Sequence, residues 1–246
     1  MKNFKVKINY LYNSSFKVET ENYVLIFDYY NDKTESLLKS SIGGVIGEAD
    51  LSTDKDIIVF ATHSHGDHFS DMIFNWREKR PDIRYVLSSD IKLKASYDDI
   101  NSISAYEELT INNVKIKAFG STDLGISLLV KVDGINIFHA GDLNWWHWYD
   151  ESYEDNMKMG KLFKEEIKKI KGEYIDISFF PVDTRLKDSY NLGPDYFIAE
   201  VQPKALIPMH FREDYYITKE FGDKNKRKDT RIFAVGKRGE EIIIVE

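Results

Sequence analysis

Cysteine is absent from the 246 residues of this sequence. Its absence excludes disulfide bonds, thiolate catalysis, and zinc or iron–sulfur sites that need cysteine ligands. Long apolar runs are also missing, since no stretch approaches the roughly 20 apolar residues of a membrane-spanning helix. The opening residues, MKNFKVKINYLYN, lack the apolar core of a secretory signal peptide. We therefore expect a cytoplasmic protein without a transmembrane segment.

Positive charge is in deficit, with 34 lysine and arginine residues against 41 aspartate and glutamate residues and a net charge of -7. Such an acidic balance argues against nucleic acid or an anionic membrane surface as the main partner. One basic run, KNKRK at 224–228, has no interleaved aromatic residues and is flanked by Asp223 and Asp229. We interpret this run as a solvated loop.

Near-continuous apolar runs recur along the chain. The segments YVLIFDYY (23–30) and DIIVFATH (56–63) are typical of strands buried on both faces of a sheet. Asp133-Gly134 is a strong signal for a two-residue hairpin between two further strands. The other strands predicted from composition lie at 4–12, 83–87, 114–119, 126–132, 135–140 and 242–245.

Three helices are predicted among the strands. Ser70 fits the N-cap of a helix over 71–79, and Gly172 fits the end of a longer helix over 154–171. A third helix is predicted to begin at Pro194. Hairpins come first in the chain and alternating helices and strands follow. We therefore predict an α+β fold of two mixed sheets covered by helices, with residues 1–246 forming a single domain.

Three of the six histidines fall within the segment THSHGDH at 62–68, directly after a predicted strand. Alternate residues of an extended segment share a face, so His63 and His65 can converge on one ion. Gly66 permits a sharp turn that directs Asp67 and His68 toward a second position. Imidazole and carboxylate ligands without thiolate suit zinc, manganese or iron. We interpret the segment as metal-binding, because a chance grouping of this kind is rare.

Two later strands each deliver one metal-capable side chain to their carboxyl end. Asp142 follows IFHAG, and His210 ends KALIPMH. Taken alone, Asp142 fits a turn aspartate and His210 fits a buried histidine. Sites in α/β folds tend to open at the carboxyl ends of strands. Together with the first cluster, both residues are therefore interpreted as ligands.

The motifs THSHGDH, HAGD and PMH, in this order and spacing, resemble those of the metallo-β-lactamase superfamily, in particular its small zinc-dependent hydrolases. The likeness extends over nearly the whole chain, from YNSSFKVETENYVLIFDYY to the PMHF segment. It implies a four-layer αββα sandwich with a dinuclear metal centre in the cleft between the sheets. The ligands that it implies are His63 and His65 for a first ion, Asp67, His68 and His210 for a second, and Asp142 as a bridge.

One ligand of the family pattern is missing. The pattern has a histidine for the first ion near 119–123, where this sequence reads FGSTD. The carboxylate of Asp123 can substitute as an oxygen ligand, and Ser121 or water are the alternatives. Two ions are expected if Asp123 or another group fills this gap, and a weak or empty first site is the alternative if none does.

Other residues near the motifs are candidates for supporting the ligands or contacting a substrate. His139 could orient a ligand through a hydrogen bond, or could simply pack within its strand. Asp183 and Arg185 follow the strand FFPV. Arg185 could bind a phosphate or carboxylate of the substrate, or the two could form an internal ion pair. Asn13-Ser14 and Asp28 are candidates for the floor of the site.

The segment NWWHWYD at 144–150 carries three tryptophans directly after the implied bridging ligand. Trp145 and Trp146, together with Trp148, could form the apolar wall of a substrate pocket. They could equally clamp the loop onto the following helix. The pocket interpretation is favoured because loops at the carboxyl ends of strands usually build the site.

The resemblance implies hydrolysis by a metal-bound hydroxide that Asp67 orients, because Zn²⁺ lowers the pKa of bound water to about 7. The cofactor expected is two divalent ions, with zinc favoured over manganese or iron. The bond cleaved would be an ester, lactone, amide or phosphodiester of a small molecule or lipid headgroup, and no nucleic acid is expected as partner. The alternative is a metal-binding member of the fold with lost catalysis or with iron redox chemistry.

Overall fold

The computed structural model describes residues 4–93, 97–226 and 229–245, which form two seven-stranded β-sheets. Their strands, in chain order, are β1 (Lys5–Tyr12), β2 (Ser15–Glu19), β3 (Tyr23–Phe27), β4 (Asp56–Ala61), β5 (Arg84–Ser88), β6 (Ile100–Ile103), β7 (Glu108–Ile111), β8 (Val114–Phe119), β9 (Ser127–Val132), β10 (Ile135–His139), β11 (Ile177–Pro181), β12 (Ala205–Met209), β13 (Arg231–Ile232) and β14 (Glu241–Val245). The α-helices of the same residues are α1 (Glu48–Leu51), α2 (Tyr153–Ile170), α3 (Leu192–Val201) and α4 (Tyr216–Asn225). Short 3₁₀ helices cover Ser41–Gly43, Asp71–Glu78 and Thr184–Ser189.

Both sheets are mixed, as the sequence predicts. The first has the strand order β14-β1-β2-β3-β4-β5-β6, and the second has the order β13-β12-β11-β10-β9-β8-β7. Strands β3, β4, β5 and β6 run parallel to one another, and so do strands β10, β11, β12 and β13. The remaining pairs are antiparallel and include the predicted hairpin at Asp133-Gly134 between β9 and β10.

The first sheet buries both of its faces, which explains the continuous apolar runs in its strands. Successive strand residues point to opposite faces. In β4, Phe60 belongs to the core between the sheets, whereas Val59 packs with Trp76 of the 3₁₀ helix and Leu51 of α1 on the outer side. A helical layer therefore covers the outer face of this sheet.

The second sheet is covered in the same way. Phe16 of β2 stacks on Phe179 of β11 with ring centroids 4.1 Å apart, so the inner faces of the two sheets are in direct contact. On the outer face, Phe197 of α3 stacks on Phe180, and Phe163 of α2 packs nearby. The layer order is helix, sheet, sheet, helix, which confirms the four-layer αββα prediction.

The strand directions bring several loops to one edge of the sandwich. Phe27 at the end of β3 pairs with Phe60 near the end of β4, and with Phe16 at the start of β2. In the second sheet, His139 at the end of β10 pairs with Phe179 and with Leu128 near the start of β9. The segments that follow β3, β4, β8, β10, β11 and β12, together with the β1–β2 turn, therefore meet at this edge.

Some elements differ from the sequence prediction. The helix expected over 71–79 is a 3₁₀ helix, Asp71–Glu78, with Ser70 as its N-cap. The helix expected to begin at Pro194 begins at Leu192, because proline is tolerated throughout the first turn, whose N–H groups need no partner within the helix. The strands β6 and β7 were not predicted, since their sequences, INSI and ELTI, are short and half polar.

The basic run at 224–228 is not wholly a loop. Lys224 lies in the last turn of α4, where its ammonium is 2.9 Å from Glu220, and Lys226 pairs with Asp223 at 2.8 Å. Residues 227 and 228 lie outside the described residues. Within the described part of the chain, no helix is long and apolar enough to cross a membrane.

Candidate metal centre

The segment after β4 places its metal-capable side chains in two environments. His63 and His68 are fully buried, whereas the side chains of His65 and Asp67 are 46% and 37% exposed toward the cleft. The backbone closes a tight turn here, because the N–H of His68 donates to the carbonyl of His65 at 3.0 Å. Nε2 of His63 and Nδ1 of His65 converge to 3.1 Å, as the alternation of an extended segment predicts.

Asp142 lies between the histidines of this segment and His210. Its Oδ2 is 3.3 Å from Nε2 of His63, and its Oδ1 is 3.1 Å from Nε2 of His68 and 3.5 Å from Nε2 of His210. The position depends on Gly141, which has φ +54°; a Cβ there would lie 2.8 Å from the carbonyl oxygen of Ile126. A side chain at 141 is therefore excluded, and the backbone can bring Asp142 into the cluster.

Three groups of side chains offer ligand atoms within 4.8 Å of one another. The groups are His63, His68 and Asp142; Asp67, His68 and His210; and His65, Asp123 and Asp142. All six ligands implied by the sequence motifs are thus brought together, and Asp123 joins them.

The buried atoms of this cluster fit a metal ion in their chemistry as well as in their position. Nε2 of His68, Nε2 of His210 and Oδ1 of Asp142 are buried and have no hydrogen-bond partner among the described residues. Unpaired buried polar atoms are rare in folded proteins, because leaving them unsatisfied costs about 1–3 kcal/mol each. Three of them facing one another are explained if an ion completes their bonding.

Asp28 fixes the orientation of His68. Its Oδ2 lies 2.7 Å from Nδ1 of His68, and its carboxylate also accepts from the N–H and the hydroxyl of Thr62. A carboxylate only accepts hydrogen bonds, so Nδ1 carries the proton and Nε2, which faces Asp142, is the nitrogen that would bind a metal in place of a proton. Burial acts to lower the pKa of His68, but Asp142 and Asp28 raise it to about 10, so a metal would compete with a proton at this nitrogen. Burial alone would raise the pKa of Asp28, but the imidazoles of His139 and His68 outweigh it and hold that pKa below its usual value.

Asp183 fixes the orientation of His210 through a similar hydrogen bond. Nδ1 of His210 lies 2.9 Å from Oδ2 of Asp183, and the guanidinium of Arg185 grips the same carboxylate through Nε and Nη2. Burial acts to raise the pKa of Asp183, but the hydrogen bonds from His210 and Arg185 lower it to about 2. The carboxylate is therefore charged at neutral pH and can hold the tautomer of His210 that points Nε2 into the cluster.

Asn13, in the β1–β2 turn, contacts two of the proposed ligands. Its Nδ2 donates to Oδ2 of Asp67 at 3.3 Å, and its carbonyl accepts from the N–H of His210 at 3.1 Å. Asn13, Asp28 and His210 all adopt left-handed backbone conformations, with φ of +54°, +47° and +65°. Such conformations are uncommon outside glycine and cluster at functional sites, where the surrounding structure imposes them.

Comparison with known proteins agrees with this fold. No model of a protein family matches the chain. A UPF0173 metal-dependent hydrolase of Thermococcus kodakarensis is 26% identical over 222 residues, which cover 84% of each chain. Igni18, a metallo hydrolase from Ignicoccus hospitalis, superposes with a TM-score of 0.65 at 16% identity over 98% of both chains. The metallo-β-lactamase fold protein YhfI from Bacillus subtilis superposes with a TM-score of 0.62 at 13% identity, over 98% of this chain and 100% of YhfI.

The chain has the fold of these metallo-β-lactamase fold structures. Its departure from the superfamily's ligand pattern lies in the loop after β8. Asp123 stands there with its Oδ2 3.8 Å from Nδ1 of His65, and its side chain is 46% exposed. Ser121, the other candidate, uses its hydroxyl to accept from the N–H of Asp123 at 3.2 Å. Asp123 is therefore the better placed of the two to replace the superfamily's histidine.

His139 is buried behind the ligands rather than among them. Its Nε2 lies 2.9 Å from the carbonyl of Ser14, and its Nδ1 accepts from the N–H of Gly141 and lies 3.8 Å from Asp28. Burial lowers the pKa of His139, which favours the neutral ring. The residue thus holds the Gly141 turn, and through it Asp142, in place.

The tryptophans of the loop after β10 divide between two roles. Trp146 and Trp148 stack with ring centroids 5.8 Å apart and line a cleft of about 460 Å³ in front of the ligands. Trp145 packs instead against α2, where Gly160 leaves room for its ring, and lies beside Phe163. The prediction that Trp145 forms part of the pocket wall is therefore corrected, because its ring clamps the loop onto the helix.

Several residues of the cleft were not identified from the sequence. Thr122, Met159 and Arg212 line it together with Arg185. Met159 reaches the cleft from α2, far along the chain from the motifs. Arg212 comes two residues after His210, but it lies in a turn with a left-handed backbone, so no local sequence pattern marked it.

Proposed function

We propose that this protein is a metal-dependent hydrolase that holds two divalent ions in the cleft between its sheets. The observation that carries the proposal is the convergence of unpaired buried ligand atoms on His68, His210 and Asp142. The relative from Thermococcus kodakarensis, a metal-dependent hydrolase by name, supports the same activity.

The ligand sets combine the three groups of converging atoms with the ligand pattern that the superfamily resemblance implies. Asp67, His68 and His210 would hold one ion. His63 and His65 would hold the other, with Asp123 in place of the superfamily's histidine. Asp142 lies within 3.5 Å of ligand atoms on both sides and would bridge the two ions. Zinc is the expected metal, since imidazole and carboxylate ligands suit it, and manganese or iron are the alternatives.

Divalent ions bound in this way would supply Lewis acidity, lowering the pKa of a reacting water and polarising the bond to be cleaved. The chain's own contribution begins with Asp67, whose partly exposed carboxylate faces the cleft and is held by Asn13. Asp67 is therefore placed to accept a hydrogen bond from the reacting water and to orient it. Trp146 and Trp148 shield one side of the cleft from solvent.

Hydrolysis by an activated water is favoured because the described residues that line the cleft offer no free hydroxyl or thiol as nucleophile. Among the described residues that line it, the one hydroxyl belongs to Thr122. That hydroxyl donates to the carbonyl of Asn144 at 2.6 Å and accepts from the N–H of Asn144 at 3.0 Å. The substrate class that fits is an ester, lactone, amide or phosphodiester of a small molecule or lipid headgroup.

The test combines metal content with turnover. Protein purified without chelator is analysed for zinc, manganese and iron, and assayed on a chromogenic acetate ester, a lactone and a bis-aryl phosphodiester. We expect close to two equivalents of metal, loss of hydrolysis on chelation, and recovery on return of the metal. His147→Ala should match the unmodified protein in metal content and turnover. His147 lies in the loop that follows Asp142 but belongs to none of the three ligand groups.

Two other outcomes would replace the proposal. Retained metal without turnover of any of the three substrate types would indicate a metal-binding member of the fold that has lost catalysis. Iron as the resident metal, together with oxygen consumption and no hydrolysis, would indicate redox chemistry.

A further inference from the structure

We propose that the substrate carries an oxyanionic group, a carboxylate or a phosphate, and that Arg212 and Arg185 form the subsite that binds it. This inference rests on the proposed hydrolase function and names the class of substrate. The subsite lies in the same cleft as Asp67 and His210.

The backbone around Phe211 directs Arg212 into the cleft. The Phe211 ring is buried and stacks on Tyr10 with ring centroids 5.2 Å apart. His210 and Arg212, on either side of it, both have left-handed backbone conformations, and Arg212 has φ +53°. The hydroxyl of Tyr10 also donates to the carbonyl of Arg212 at 3.2 Å. The anchored phenylalanine thus fixes both neighbours in positions that line the cleft.

The guanidinium of Arg212 is available for a ligand. Within the described residues, none of its nitrogens makes a hydrogen bond or an ion pair, although acidic side chains are abundant in this protein. A guanidinium presents a planar fork of donors that matches the two oxygens of a carboxylate or phosphate. Left-handed backbone conformations of residues other than glycine cluster at functional sites, which agrees with a binding role for this unpaired guanidinium.

Arg185 supplies a second guanidinium in a fixed orientation. Nε donates to both carboxylate oxygens of Asp183, at 3.0 and 2.9 Å, and Nη2 donates to Oδ2. Its Cζ lies 5.5 Å from the ring centroid of Trp148, and 43% of the side chain is exposed. In the described part of the chain, no group accepts from Nη1. That nitrogen is therefore free to donate to a ligand.

The charge of the cleft favours an anion once two divalent ions are bound. Their four positive charges exceed the three negative charges of Asp67, Asp123 and Asp142. Asp183 and Arg185 neutralise each other, and Arg212 adds a further positive charge. The protein as a whole has a net charge of -7, so its remaining surface repels anions while the loaded cleft attracts them.

The stacked pair of Trp146 and Trp148 lies in the same cleft as the two arginines. It offers an apolar surface to the part of the substrate between its charged group and its scissile bond. A molecule that combines an oxyanion with an aromatic or apolar body therefore fits the cleft better than either feature alone.

The experiment measures anion binding separately from turnover. Zinc-loaded protein is titrated with phenylphosphonate and with phenylacetate, and quenching of tryptophan fluorescence reports occupation of the cleft. The neutral analogues dimethyl phenylphosphonate and phenylacetamide are titrated in parallel. The variants are Arg212→Ala, Arg212→Lys and, as matched control, Arg84→Ala. Arg84 is exposed at the start of β5, at the edge of the sheet opposite the cleft.

We expect Arg212→Ala to weaken binding of at least one anion by roughly tenfold or more, the loss expected for a charge-assisted hydrogen bond. Arg212→Lys should recover part of this loss, while Arg84→Ala should bind like the unmodified protein. The anion whose affinity falls more on this substitution shows whether the subsite prefers a phosphate-like group or a carboxylate. Unchanged anion binding in Arg212→Ala, or no saturable binding by the unmodified protein at millimolar concentrations, would overturn the inference.

This readout separates the two proposals. If Arg212→Ala loses anion binding but no ester, lactone or phosphodiester is hydrolysed, the subsite stands and the hydrolase proposal fails. If hydrolysis depends on metal but Arg212→Ala binds anions normally, the hydrolase proposal stands and the anion subsite fails.

Discussion

Oδ2 of Asp28 lies 2.7 Å from Nδ1 of His68, and both side chains are completely buried. The contact joins the end of β3 to the turn after β4, across 40 residues of sequence. It leaves Nε2 of His68 as the free nitrogen, 3.1 Å from Asp142. Asp28 therefore acts on the proposed metal centre without facing the cleft itself.

Replacing Asp28 by asparagine should weaken metal binding while keeping the size of the side chain. The amide of the introduced asparagine could donate to Nδ1 of His68, which would move the ring proton to Nε2 and oppose metal binding there. Loss of such a supporting contact typically reduces metal affinity about 10–100-fold. Competition with a chromophoric chelator measures the change.

A matched control for this variant is Asp50→Asn. Asp50 is also a buried carboxylate, but its contacts are with Lys17 and with the N–H groups of Ser41 and Gly47, away from the ligands. Equal metal affinity in Asp28→Asn and the unmodified protein would remove Asp28 from the supporting set.

Asp50 itself should make stability depend on pH. Burial raises its pKa, but hydrogen bonds from Lys17 and Ser41 outweigh burial and hold the pKa below its usual value. A carboxyl with a lowered folded pKa stabilises the fold above its unfolded pKa of about 3.9, and loses that contribution as the pH falls through its folded pKa. The ion pair with Lys17 is 2.7 Å long and buried.

Urea unfolding of metal-free protein tests this dependence. Near pH 7, Asp50→Asn should lower the free energy of unfolding by about 3–5 kcal/mol, because Lys17 is left as an unpaired buried charge. The difference between the variant and the unmodified protein should narrow as the pH falls through the lowered folded pKa of Asp50. A difference that stays constant with pH would show that the Asp50 carboxylate carries no pH-linked stability.

Much of the fold, and the convergence of most of the proposed ligands, could be predicted from the sequence. His63, His65, Asp67 and His68 are adjacent in the chain, so their convergence needs only one turn. Asp142 and His210 follow apolar strands, and the carboxyl ends of parallel strands meet at one edge. Short-range pattern and strand direction are sufficient for these six.

The sequence marks Asn13, Asp28 and Asp183 as candidates near the site, but it does not predict which ligand each of them contacts. Asn13 reaches Asp67 across 54 residues, and no local pattern marks such a pair. The left-handed conformation of Arg212 is imposed by tertiary packing around Phe211, which sequence propensity does not encode. The direction of each tryptophan in NWWHWYD depends on a loop without regular periodicity, so Trp145 could not be told apart from Trp146.

Replacing Asp123 by alanine should lower metal content selectively. If Asp123 replaces the missing histidine, its loss leaves His63, His65 and Asp142 to hold the first ion. We expect zinc to fall from about two equivalents toward one after dialysis. The second ion should remain, because Asp67, His68 and His210 are unchanged. Elemental analysis measures this directly.

Ser121→Ala is the control for that loop, since its hydroxyl contacts the backbone of Asp123 and none of the ligand groups. Unchanged zinc content in Asp123→Ala would exclude Asp123 as a ligand. An equal loss in Ser121→Ala would indicate that the fold of the loop, and not the carboxylate, determines occupancy.

Two substitutions at Asn13 should distinguish the effect of its hydrogen bond to Asp67 on kcat from the effect of its left-handed backbone on stability. Asn13→Gly keeps the left-handed conformation available but removes the hydrogen bond to Asp67. We expect zinc content to be retained, because the backbone carbonyl of residue 13 still accepts from the N–H of His210. Hydrolytic kcat should fall by roughly fivefold, the effect expected when a hydrogen bond of about 1 kcal/mol no longer orients a catalytic group.

Asn13→Ala removes the same side-chain contact and also forces a Cβ-bearing residue without local hydrogen bonds into the left-handed region. It should show the same kcat as Asn13→Gly, with an additional loss of about 1 kcal/mol in the free energy of unfolding. Kinetics and urea unfolding of the two variants, side by side, make the comparison. If glycine restored full kcat, the role of Asn13 would be limited to its backbone, and Asp67 would need no orienting partner.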